Sequence, residues 1–276
     1  CLIKTNNNNN YMKKLIFSAL VATGLLVSSC GKDNNDGGST SLTGDWYTHS
    51  MYNLKESLGE YNWYAPNQCA KQTRIEISDK VLKYKLLYEE RGTCKENFVY
   101  YDYTTSNGVF HLTVRADSPA DRKGNIATVN YEMKDKELIL RFKNKKGDNE
   151  IQVLHKQGVD YSHLDPLVGY WRLTKVQRKT LNNKGEVEIK EYPAGNPTCF
   201  RGDIVASSMG FSIFYTLPND NVQCGSEERK TFDWAREGST YYNVSNGQKV
   251  PMPFSFSNNN QTLSFGSGDT ILVFQK

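Results

Sequence analysis

The chain is poor in the residue patterns on which most catalysis depends. It has four histidines in 276 residues, His49, His111, His155 and His163, and none stands in a metal-ligand spacing to another. It has no glycine loop shaped to cradle phosphate, no nucleophile elbow and no paired-carboxylate motif. No catalytic residue, no cofactor and no metal ligand is therefore expected, and the chain reads as a non-enzyme. Charge of one sign is lacking too: 34 Lys and Arg stand against 30 Asp and Glu, with 18 against 16 in residues 42–156 and 12 against 12 in residues 157–276. No basic block alternates with aromatics, which argues against a nucleic-acid partner. Long amphipathic helices are missing, and no apolar run reaches the roughly 20 residues of a membrane-spanning helix.

What is present begins near the front. Residues 1–11, CLIKTNNNNNY, hold an asparagine run and no structural pattern, and are read as untranslated or disordered. Met12-Lys13-Lys14 then opens a basic start, followed by the 13-residue segment LIFSALVATGLLV and by Ser28-Ser29-Cys30. A short apolar run with a small-residue end is the pattern of an export signal, here residues 12–30, with a short N-terminal anchor helix as the alternative. Residues 31–41, GKDNNDGGSTS, carry no apolar side chain and form a flexible tether.

The rest of the chain is written twice. Leu42-Thr43-Gly44-Asp45-Trp46 returns 125 positions later as Leu167-Val168-Gly169-Tyr170-Trp171. Cys69 and Cys94 are 25 apart, and so are Cys199 and Cys224. Ile151-Gln152-Val153-Leu154-His155-Lys156 is echoed by Ile271-Leu272-Val273-Phe274-Gln275-Lys276. The landmarks keep one order, so the chain is a duplicated domain: 42–156, a polar linker 157–166, and 167–276. An exported chain meets conditions in which disulfides persist. The matched spacing favours Cys69–Cys94 and Cys199–Cys224; metal binding is the alternative, without a CxxC or paired histidine to accompany it.

Each half alternates with period two. Leu82, Tyr84, Leu86 and Tyr88 share one face, as do Phe110, Leu112 and Val114, then Ala127, Val129, Tyr131 and Met133, then Leu138, Leu140 and Phe142. That is the mark of strands with one buried face. Arg91-Gly92, Asn107-Gly108 and Lys134-Asp135 punctuate them as turns. Eight candidate strands between 43 and 155 predict an all-β fold of two tandem small antiparallel up-and-down barrels, each with one disulfide; a β-sandwich is the alternative. Cys69 is placed at the start of one strand and Cys94 at the end of the next, so the bridge would pin one hairpin.

Two resemblances sharpen the functional reading. Val27-Ser28-Ser29-Cys30-Gly31 resembles the bacterial lipobox, which implies lipidation of Cys30 and anchoring of an outer membrane lipoprotein on its periplasmic or cell-surface side. Gly-x-Trp at the head of the first strand resembles the lipocalin signature, and with the paired cysteines the chain looks like a Bacteroidetes lipoprotein with two tandem lipocalin-like domains. The resemblance implies that Trp46 and Trp171 plug the barrels beneath a basic side chain, for which Lys156 and Lys276 are the candidates. It also places the aromatics Tyr61, Trp63 and Tyr64 on a loop over the first barrel mouth, with Tyr192 on the matching loop of the second. These four are the candidate ligand-binding residues. Covering the barrel end as a hydrophobic lid is the competing role for this loop. The expected function is an envelope-anchored binding lipoprotein holding a small apolar or glycan-like molecule. The alternatives are a protein-binding module, such as a small-barrel protease inhibitor, or an envelope structural component without ligand.

Overall fold

The computed structural model describes residues 41–55, 60–64, 67–118, 124–143, 147–195, 199–217, 224–266 and 268–276, and the side chains of all these except 54, 55, 60–62 and 64. The expected export signal, Cys30 and the expected tether up to residue 40 lie outside the described residues, as do the side chains of Tyr61 and Tyr64. The described chain falls into two compact units. The first runs to Glu60 and from Pro66 to Tyr161; the second is Ser162–Lys276 together with Tyr61–Ala65.

The first unit is an all-antiparallel sheet built from β1 (Gly44–Lys55), β3 (Arg74–Ile77), β4 (Val81–Glu90), β5 (Thr93–Ser106), β6 (Val109–Val114), β7 (Ile126–Lys134), β8 (Glu137–Lys143) and β9 (Asn149–Lys156). Consecutive strands pair in that order, and β9 pairs back to β1, so eight strands form a closed barrel. β2 (Glu60–Tyr64) stands outside the ring. Closure decides between barrel and sandwich, and it removes the sheet edges that would otherwise invite aggregation. Among the described residues the helical content is one 3-10 turn, Ala70–Gln72.

Local chemistry explains the tight turns. Arg91-Gly92, Asn107-Gly108 and Asp135-Lys136 all have positive φ at both residues. They join pairs whose last partners are Glu90 and Thr93, Ser106 and Val109, and Lys134 and Glu137. A two-residue turn of that hand matches the strand twist, which is why Asn-Gly serves it so well. The alternating residues converge inside: Leu82, Leu86, Phe110, Leu112, Val114, Ala127, Leu138, Leu140 and Leu154 form one buried cluster around Trp46. Each large apolar side chain so buried contributes about 1.5–3 kcal/mol.

The second unit repeats this plan with β10 (Gly169–Leu181), β11 (Val187–Pro193), β12 (Arg201–Ala206), β13 (Gly210–Thr216), β14 (Glu228–Glu237), β15 (Thr240–Ser245), β16 (Gln248–Met252), β17 (Phe254–Ser257), β18 (Thr262–Phe265) and β19 (Thr270–Gln275). The sheet runs from β16 through β15, β14, β13, β12, β10, β19 and β18 to β17, with β11 attached to β10 alone. It is nearly closed. The opening lies where a single strand of the first barrel is split in two. There β7 pairs β6 through Ile126–Asn130 and β8 through Asn130–Lys134. Here β16 pairs β15, β17 pairs β18, and Pro253 stands between them. Proline has no N–H to give the ladder, so the break falls at that residue.

Both disulfides form, Cys69–Cys94 and Cys199–Cys224, with Cα atoms 5.5 and 5.0 Å apart. Their placement differs from the sequence expectation in two respects: Cys69 precedes the 3-10 turn Ala70–Gln72 and does not start a strand, and Cys94 lies one strand further on. Cys94 does not end the strand that follows Cys69; β4 ends at Glu90, and Cys94 lies past the turn as the second residue of β5. The bridge therefore ties the segment entering β3 to the tip of the next hairpin. Ten residue pairs between β4 and β5 carry that hairpin far enough to reach it.

Candidate functional site

The repeated Leu-x-Gly-x-Trp motif leads into the first strand of each barrel, and its glycine and tryptophan are tied to one lysine in each copy. Trp46 and Trp171 are fully buried. Their indole N–H groups donate to the carbonyls of Leu42 and Leu167, at 2.7 and 2.8 Å. Lys156 Nζ lies 5.6 Å from the Trp46 ring centre, and Lys276 Nζ lies 5.1 Å from that of Trp171. The ammonium groups are held by backbone carbonyls, Lys156 on Ser41 at 2.8 Å and Lys276 on Pro166 at 3.1 Å. Burial pulls the Lys276 ammonium below the ordinary lysine range, against the opposing pull of Asp165. The glycines make the passage possible. Gly44 and Gly169 adopt φ of 130° and 138°, and a Cβ there would sit 2.7 and 2.6 Å from the lysine Cε.

Asp165, read from sequence as part of a linker, buttresses the second plug. Its carboxylate accepts hydrogen bonds from Tyr241 Oη at 2.7 Å, Leu167 N at 2.8 Å and Arg236 Nη1 at 3.0 Å. Burial, and then the hydrogen bond to Asp165, push the Tyr241 phenol well above its ordinary range.

Toward the other end the two interiors diverge. In the first barrel, β1 and β9 bring Asn53 opposite Glu150 and Met51 opposite Gln152. Asn53 Nδ2 donates to Glu150 Oε1 at 3.3 Å, and Tyr84 on β4 is hydrogen-bonded to Gln152. Glu150 and Gln152 are each 3 % exposed. Part of the Tyr84 side chain keeps some exposure, but its phenol lies deep, and burial pushes it up to about 12. Thr48 Oγ1 and Asn53 Oδ1 are buried without a hydrogen-bond partner among the described residues. The register of the second barrel places Arg178, Ile213, Thr270 and Leu272 where the first has Asn53, Tyr84, Glu150 and Gln152. Ile213 and Leu272 belong to its buried apolar cluster, beside Phe211, Phe274 and Tyr241. One interior carries a polar row; its duplicate fills two of those places with aliphatic side chains.

Of the four loop aromatics, Trp63 and Tyr192 have described side chains. Trp63 is 5 % exposed and belongs to the second unit. Its amide donates to Ser212 Oγ at 2.6 Å, and a Cβ on Gly210 would meet its indole nitrogen at 2.7 Å. Tyr192 lies on β11, stacked on Phe200 at 5.3 Å. Trp63 and Tyr192 are thus packed rings rather than a solvent-facing platform.

A second constellation, invisible in the spacing of the residues, occupies the outer wall of the first barrel. His155 Nε2 lies 2.6 Å from Glu137 Oε1. His49 stacks on one face of the His155 ring at 4.1 Å, and Tyr161 on the other at 3.9 Å. The Tyr161 hydroxyl accepts from Lys156 N at 2.7 Å and donates to the Lys136 carbonyl at 3.0 Å. Glu137 is fully buried. His49 enters this group because the pairing of β1 with β9 slips between Thr48 and Ser50, which leaves His49 as the extra residue of a β-bulge. The sequence signal that could have found the group is the comparison of repeats, in which His155 stands against Gln275.

No protein-family model matches the chain, and no curated protein is significantly similar to it.

Proposed function

We propose that this chain is an envelope-anchored, non-catalytic binding lipoprotein, and that the interior of its first barrel holds a small glycan-like ligand. The observation that carries the reading is the polar row of Asn53, Tyr84, Glu150 and Gln152, set toward the end of the barrel opposite the Trp46 plug. Burying a polar atom without a partner costs about 1–3 kcal/mol, and Thr48 Oγ1 and Asn53 Oδ1 are buried in that state among the described residues. The second barrel keeps the same architecture with Ile213 and Leu272 at two of these positions. Thr48 and Asn53 each carry a buried, unpaired side-chain oxygen, and a carboxylate beside two amides is the donor and acceptor set that sugar hydroxyls require. Tyr84 and Tyr88, on one face of β4 and packed against the same interior, offer apolar ring surface on that side. Membrane attachment is supported by the sequence from Met12 to Cys30, and Cys30→Ser is expected to abolish incorporation of labelled fatty acid. The direct test is native mass spectrometry of the protein purified from envelope. A bound small molecule released on denaturation is the expected result; bare protein that also fails to retain any member of a glycan panel would refute the reading.

A second reading, a protein-binding module, is favoured by one observation. Leu181, Val187 and Ile189 share a face of the β10–β11 hairpin and are 69 %, 68 % and 60 % exposed. An exposed apolar row on an edge strand is a feature of partner-binding surfaces. Photo-crosslinking from position 189 in intact envelope should give one defined protein conjugate if this reading holds, and none if the hairpin is a solvated arm.

A further inference from the structure

We propose that His49, Glu137 and His155 bind one divalent transition-metal ion, zinc by preference, on the outer wall of the first barrel. One ligand atom from each of the three lies within 4.8 Å of the others. A tetrahedral ion with bonds of about 2.0–2.1 Å holds its donor atoms about 3.3 Å apart. Binding would therefore widen the His155–Glu137 contact from 2.6 Å and draw His49 inward, by about 1.5 Å at most. An imidazole nitrogen binds an ion in the plane of its ring, so coordination would also turn His49 out of its face-to-face stack on His155.

The donor set selects the ion class. Two imidazoles and a carboxylate suit zinc and its neighbours, whereas magnesium and calcium favour oxygen alone. Three protein ligands leave a fourth position open. Electrostatics point the same way. Glu137 is fully buried, and a buried carboxylate is tolerated only when its charge is compensated. A dication would add to that compensation.

The surroundings fix His155 in place. Metal-bound histidines are oriented by the groups around them. Tyr161 stacks on His155 at 3.9 Å and is itself fixed at both sides of its hydroxyl by Lys156 N and the Lys136 carbonyl. The bulge turns His49 onto the same wall. The second barrel has the same bulge, between Leu173 and Lys175, but its register puts Thr174, Thr262 and Gln275 at the three positions. Thr174 uses its hydroxyl on the Val273 carbonyl instead, at 3.0 Å. The donors occur together in one copy and are absent together from the other. This site lies on the barrel exterior and is independent of the interior ligand site.

The test is zinc titration of tag-free, chelator-stripped protein by calorimetry, with metal content read by mass spectrometry. One zinc per chain is expected. His49→Thr and His155→Gln, which copy the second barrel, should each weaken binding at least about tenfold while leaving the circular dichroism unchanged. His163→Gln should bind as the parent does. Failure of the parent to take up zinc at high micromolar concentration would overturn the proposal, as would uptake unaffected by both His49→Thr and His155→Gln, or lost in His163→Gln.

Discussion

Replacing Gly169 by alanine tests the mechanics of the plug in a way that can be worked through from the structure. The residue adopts φ of 138°, where an L side chain is strained by about 1–3 kcal/mol. The new Cβ would also stand 2.6 Å from Lys276 Cε, so the lysine must leave its path. Its ammonium would then lose the Trp171 face, 5.1 Å away, and the Pro166 carbonyl. A partly desolvated cation–π contact is worth about 0.5–2 kcal/mol. The two effects together predict a loss of about 1.5–5 kcal/mol in the second barrel. The assay is urea unfolding of four proteins: the parent, Gly169→Ala, Lys276→Ala and the double variant. In the Lys276→Ala background the steric conflict is gone, and Gly169→Ala should cost only the backbone strain. Equal costs in both backgrounds would refute the claim that the glycine exists to let the lysine pass. A cost below about 0.5 kcal/mol in the parent would refute the strain itself.

Three other perturbations follow from the same structure. Asp165→Ala leaves the Tyr241 hydroxyl and the Leu167 amide without their acceptor and should lower the stability of the second barrel by about 2–3 kcal/mol, measured by thermal unfolding. Trp63→Ala removes a ring that is 5 % exposed and should cost about 3–5 kcal/mol, whereas a change near zero would mean the ring is not packed. Glu76 has its pKa lowered: burial works to raise it, but the Arg74 hydrogen bond and the Lys83 and Arg74 charges outweigh that. A depressed carboxylate contributes stability above its unfolded pKa and loses it as pH falls through the folded value. Glu76→Gln should therefore be less stable than the parent at neutral pH, by under about 1 kcal/mol for so exposed a pair, and the gap should close below the ordinary carboxylate range near pH 4.

Much of the architecture is legible in the chain because the barrel wall forces period-two alternation. Leu82, Leu86, Phe110 and Leu140 all point inward, and the Asn107-Gly108 turn fixes the register of its hairpin. The Gly-x-Trp motif is legible for a similar reason: only glycine leaves room for the lysine that crosses it. The candidate sites were harder to see. Glu150 and Gln152 alternate with Ile151 and Val153, so a strand reading naturally turns the polar pair outward; the register with β1 turns it inward beside Asn53. His49, Glu137 and His155 come from three strands and meet only because closure pairs β9 with β1 and a bulge rotates one of them. Cys94 follows the Arg91-Gly92 turn in the chain, and the structure accordingly seats it on β5 instead of at the end of β4.

The central claim is that the first barrel, and not the second, binds a polar ligand through its interior row. The most direct measurement is native mass spectrometry on a chain whose first barrel carries the second barrel's residues, Tyr84→Ile, Glu150→Thr and Gln152→Leu, compared with the parent under identical purification. The account predicts a small-molecule adduct on the parent and none on the variant, with both proteins folded. An adduct of the same mass on both would place the ligand elsewhere and contradict it.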